Sequence, residues 1–82
     1  MNLLDRINKI KTVDDAEEQI VLAKKFATRQ RNLAKRQTLL ADKLAYQEKV
    51  KKAEKTLRDI RRLIFDIEDA LAEGLPAISV IS

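Results

Sequence analysis

Between Lys11 and Glu73 the chain contains neither glycine nor proline. These two residues punctuate most folded chains, by supplying left-handed backbone or by removing a backbone donor. A stretch without them, rich in Ala, Leu, Lys, Arg, Glu and Gln, is predicted to be helical almost throughout. With 82 residues there is one domain at most, and a chain of this size buries little surface when it folds alone. Phe26, Tyr46 and Phe65 are its only aromatic residues, so Leu, Ile, Val and Ala must build the core.

Helix boundaries are legible at both ends. Leu3, Leu4, Ile7 and Ile10 recur at helical spacing and predict a short amphipathic helix over residues 2–10. Lys11-Thr12 is the expected joint. Thr12 caps a second helix, with Asp15 three residues on as a weak capping box and Asp14, Glu17 and Glu18 favoured by the dipole. At the far end Gly74 suits a helix terminus and Pro76 forbids resumption. Residues 75–82 read as an extended tail in which Ile78, Val80 and Ile81 dock on the chain itself or on another protein.

Between these limits lie two apolar seams. Val50, Ala53, Leu57, Ile60, Ile64, Ile67 and Leu71 alternate spacings of three and four, a heptad pattern. The earlier seam is Val13, Ala16, Ile20, Ala23, Ala27, Gln30, Ala34, Gln37, Ala41 and Leu44. Beside it runs a second stripe of Leu22, Phe26, Leu33, Leu40 and again Leu44, so the apolar arc is too wide for one neighbour. The two seams fall out of register between Asp42 and Lys49. The expected architecture is all-α: a short helix, then long antiparallel helices over 13–42 and 46–73 in a coiled-coil-like hairpin. One continuous helix in an oligomeric coiled coil is the alternative. A hairpin folded near residues 43–44 pairs Ala16 with Leu71, Ala27 with Ile60 and Ala34 with Ala53.

The net charge of +4 conceals three blocks: −2 over residues 1–23, +10 over 24–62 and −4 over 63–82. Lys25, Arg29, Arg36 and Lys43 fall in one line along the first long helix, and Lys51, Lys55, Arg58 and Arg62 in another along the second. In a hairpin both lines gather near the turn, a positive tip suited to phosphates or to an acidic protein surface.

Chemistry is not encoded in the same way. With no histidine and no cysteine, there is no disulfide framework, no thiolate metal site and no activated nucleophile. Asp66, Asp69 and Glu73 share a face with Glu68 beside them, but no oxygen-rich loop completes a cation site. The sequence therefore predicts a non-enzyme with no cofactor, no metal and no small-molecule substrate. The N-terminus lacks a leader and no apolar run approaches a membrane span, so the expected location is cytoplasmic, with no membrane partner.

The expected function is protein–protein interaction, as an adaptor, structural subunit or small inhibitor. Leu22, Phe26, Leu33 and Leu40 would be the anchors and the basic lines the steering charge. The partner would be another protein or a second copy, in a homodimer or higher oligomer. Sequence-nonspecific nucleic-acid binding through the basic centre is the alternative.

Overall fold

A computed structural model describes residues 2–81, and among these the regular structure is entirely helical. Helix α1 spans Leu3–Asn8, α2 Val13–Arg36 and α3 Leu40–Ala72, and a single 3-10 turn covers Ala77–Val80. Helices α2 and α3 pack along each other, while α1 and the terminal turn lie against one end of the pair.

The start of α2 follows its local chemistry. The Thr12 hydroxyl accepts from the Asp15 amide at 3.1 Å, and the Asp15 carboxylate accepts from the amides of Thr12 at 3.2 Å and Lys11 at 3.0 Å. Aspartate completes a reciprocal cap in which glutamate is the usual partner. At the end of α3, Gly74 adopts φ +78°. Its amide donates to the Leu71 carbonyl at 3.1 Å, and the Leu75 amide to the Ala70 carbonyl at 2.8 Å. These two bonds are those of a Schellman stop, and glycine takes the left-handed residue within it.

Small side chains form the α2 face of the main interface. Ala16, Ala23 and Ala27 are buried with Gln19 and Gln30, opposite Ala53, Ile60, Ile67 and Ala70 of α3. Residue numbers that rise along α2 meet numbers that fall along α3. Ala16 shares a core cluster with Ile67, Phe26 and Gln30 share a cleft with Ala53 and Thr56, and Arg31 reaches Glu54 at 3.8 Å. Leu71, expected opposite Ala16, borders that cluster while Ile67 lies within it.

The helix break differs from the sequence reading. It falls at Gln37-Thr38-Leu39, where the expected first helix ran on to residue 42, the second was to begin at 46 and the alternative had no break. Lys35 and Arg36 complement the C-terminal dipole of α2, and Asp42 the N-terminal dipole of α3. The Gln37 side-chain Nε2 donates to the Leu33 carbonyl at 3.0 Å and so satisfies one of the last carbonyls of α2. Gln37 and Leu39 are both extended, and Leu39 supplies no side-chain cap to α3. Ala41 and Leu44, assigned to the first seam, are exposed residues of α3.

At 1.5 Å per residue, the 33 residues of α3 span about 50 Å, matching the longest dimension of the molecule, 50 Å. Helix α2, with 24 residues, reaches only about 36 Å. Ala16 lies level with Ile67 and Arg31 with Glu54, so the two helices are level at the open end and the first turns of α3, exposed from Leu40 to Ala45, project past α2 at the turn. At the open end α1 and the tail add a third layer. Ile7, Ile10, Ala16, Ile67 and Ala77 form the main core cluster, bordered by Leu3, Leu63, Ile64, Leu71, Ile78 and Val80.

The tail is not the extended segment expected over 75–82. After an extended Pro76 it coils into one turn. Side chains three residues apart eclipse in a 3-10 helix, so buried Ala77 and half-buried Val80 face the core together. Ser82 lies outside the described residues.

Substituting Gly74 by alanine brings no atom within 4 Å of the new Cβ. The cost is therefore that of the left-handed backbone alone, and urea denaturation of Gly74→Ala should show a loss of about 1–2 kcal/mol. Ile67→Ala, which opens the fully buried centre of the core, should cost more, about 2–5 kcal/mol in the same measurement.

Candidate interaction surface

Helix α1 runs along the groove between α2 and α3. Ile7 in its last turn and Ile10 just beyond it share the core with Ala16 and Ile67, whereas Asn2 at its head reaches Phe26, Ala53 and Thr56. Past Asn2 the groove lies open as a cleft of about 580 Å³. Phe26 and Gln30 form its α2 wall, and Lys49, Lys52, Ala53, Lys55 and Thr56 its α3 wall. A smaller cleft of about 330 Å³ lies between Arg31, Ala34 and Lys35 on α2 and Gln47, Val50 and Lys51 on α3.

The Arg6 side chain crosses from α1 onto α2. It is 4% exposed, donates from Nη1 to Gln19 Oε1 at 3.3 Å and lies 5.9 Å from the centroid of the Phe26 ring. Its Nε is buried and has no acceptor among the described residues, and no carboxylate pairs with the guanidinium. Burial holds its pKa below the ordinary arginine value, although a guanidinium remains cationic at neutral pH. Phe26 therefore has a cation on one side and borders the cleft on another.

The predicted apolar anchors do not form one open stripe. Leu22 and Leu40 are exposed, whereas Phe26 and Leu33 are half-buried. Phe26 lies beside Arg6, and Leu40 opens the next helix. The largest run of exposed apolar side chains is instead at the turn, where Leu39 is 66% exposed, Leu40 72% and Leu44 54%.

All eight predicted basic residues, Lys25, Arg29, Arg36, Lys43, Lys51, Lys55, Arg58 and Arg62, are exposed. The line on α3 is partly neutralised by its own helix. Lys51 pairs with Glu48 at 3.4 Å, and Asp59 receives both Lys55 at 3.1 Å and Arg62 at 3.6 Å. Among the described residues Lys25, Arg29 and Arg36 of α2 make no such pairs, nor does Lys43, which the helix break places on α3 and not on the first long helix with them. Lys49 Nζ lies 4.6 Å from the Tyr46 ring centroid. Of the predicted tail contacts, Ile78 and Val80 pack on the core and Ile81 is exposed.

Asp66, Asp69 and Glu73 are exposed, and among the described residues no group of three or more potential ligands converges on a metal position. No described helix is long and apolar enough to cross a membrane.

The residues that sequence reasoning missed are Arg6, Asn2, Gln30 as a cleft wall, Lys49, Thr56 and the exposed Leu39. Arg6 had left a signal. It stands three residues after Leu3 and four before Ile10, on the apolar face of α1. Thr56 and Lys49 likewise flank the seam residue Ala53 at one turn's distance.

No protein-family model, curated protein or solved structure matches this chain.

The Arg6–Gln19 contact makes a stability prediction. Gln19→Leu leaves the buried guanidinium without its acceptor and should cost about 1–3 kcal/mol in thermal or urea denaturation. The double variant Arg6→Met/Gln19→Leu removes donor and acceptor together and should recover most of that loss. Recovery absent in the double variant would show that the guanidinium is held by something other than Gln19.

Proposed function

We propose that this chain is a non-enzymatic protein-interaction module, an adaptor, structural subunit or small inhibitor, whose α2–α3 pair acts as a stiff hairpin with a coiled-coil-like seam. The observation that carries this reading is the cluster of Leu39, Leu40 and Leu44 at the turn, each more than half exposed. Soluble chains cover large contiguous apolar patches unless a partner does so. Exposed Arg36 and Lys43 stand beside these leucines. They favour a partner of opposite charge and speed its approach.

Nucleic-acid binding is the weaker reading. Lys51, Lys55 and Arg62 are occupied by carboxylates of their own helix, which leaves fewer cations of that line open to phosphates.

The test is Leu40→Ser/Leu44→Ser. Both side chains are exposed, so the melting temperature should stay within a few degrees of the parent. Self-association in light scattering, or capture of a protein partner from the native source, should fall about tenfold or more if these leucines are anchors. Unchanged association, or capture that disappears on nuclease treatment, removes the reading.

A further inference from the structure

We propose that the open cleft beyond Asn2 is a docking groove for an acidic amphipathic helix of a partner protein. This rests on the interaction reading above and names the partner's chemistry and where it lies.

The first support is that the same groove already holds a helix. Helix α1 lays Leu3 and Ile7 against α2 and α3, Ile10 follows just past its end, and its N-cap, Asn2, forms one edge of the cleft. The vacant stretch is the continuation of an occupied one. From Lys49 to Thr56 the α3 wall runs about 10 Å at 1.5 Å per residue, roughly two helical turns. Phe26 supplies an aromatic surface, and the small Ala53 leaves depth for an incoming side chain. A partner helix with apolar residues at i, i+3, i+4 and i+7 fits this mode of recognition.

The second support is charge. Lys49, Lys52 and Lys55 stand on the α3 side of the cleft, Lys55 already paired with Asp59 and the other two in no ion pair among the described residues, and no described carboxylate lines the cleft. On the α2 side, Arg29 and Arg36 follow Phe26 and Leu33 by three residues each. Helical spacing sets them on the outer edge of the same wall, and both are exposed. A helix entering between these rims meets cations on both flanks. Glutamate or aspartate beside its apolar stripe answers both features, whereas a nucleic-acid backbone answers only the rims.

The experiment uses the full chain and two labelled synthetic peptides. One is helical, with leucines at i, i+3, i+4 and i+7 and glutamates elsewhere. Its twin carries lysine for every glutamate. In fluorescence anisotropy the acidic peptide should bind saturably and the basic twin should not. Amide shifts in NMR should centre on Asn2, Phe26, Gln30 and Thr56. Lys49→Glu/Lys52→Glu, both exposed positions, should weaken binding about tenfold or more without lowering the melting temperature. Thr56→Phe, which fills the cleft and keeps its charge, should weaken it too.

Equal binding of the two peptides, absence of binding, or indifference to both variants overturns the groove. Shifts that move to Leu39, Leu40 and Leu44 overturn it as well, but leave the interaction reading standing. If peptide binding at the cleft survives Leu40→Ser/Leu44→Ser, the groove is upheld even where the turn leucines prove idle. A free fatty acid or a short DNA duplex that displaces the peptide from the cleft at lower concentration than the peptide itself binds also overturns the proposal.

Discussion

Two helices lying side by side have no interior, and the rest of this molecule depends on how that deficit is met. The contact between α2 and α3 is narrow because alanine supplies most of the α2 side. Methyl groups permit close approach but bury little area each. A real core forms only where a third layer is added. Ile7 and Ile10 come back over Ala16 and Ile67, and Ala77 closes the same cluster from the other end of the chain. Both termini are thus used as packing material at one place. Near the turn nothing plays that part, and leucine side chains stand in water.

Most of the helical framework was written in local signals. The Thr12–Asp15 cap and the Gly74–Pro76 stop are short-range chemistry and appear where the sequence placed them. The buried positions Ala53, Ile60 and Ile67 follow from spacing alone. The break at Gln37-Thr38-Leu39 had no such signal. It contains no glycine, proline or asparagine, and the apolar phase runs through it by way of Ala34, Gln37, Ala41 and Leu44. What the sequence did offer was Lys35-Arg36 before the break and Asp42 after it, a charge arrangement that suits two dipole ends. The tail misled for a different reason. Alternating residues suggested a strand, but with no sheet edge to join, the segment saturates its backbone by coiling.

The candidate site was legible in its charges and illegible in its shape. Every predicted cation is on the surface, since nothing else is open to an exposed lysine or arginine. Which of them border a cleft depends on where α1 lies across the pair, and that is a long-range fact. Arg6 makes the point most sharply. One-dimensional reading counts it as part of a weakly acidic block, yet it is a buried cation that reaches from α1 to Gln19 and Phe26 of α2.

The lopsided third layer has a consequence for how this chain comes apart. One end of the pair is sealed by α1 and the terminal turn, while at the other α3 starts at Leu40 and its N-cap, Leu39, supplies no side-chain hydrogen bond. Opening a turn near Leu39 disturbs little buried apolar surface, and opening one near Ile67 disturbs the whole cluster. Resistance to local melting therefore climbs along the axis as a gradient. The end that holds Ile67 is the last to open, and the first turns of α3 are the loosest part of the pair.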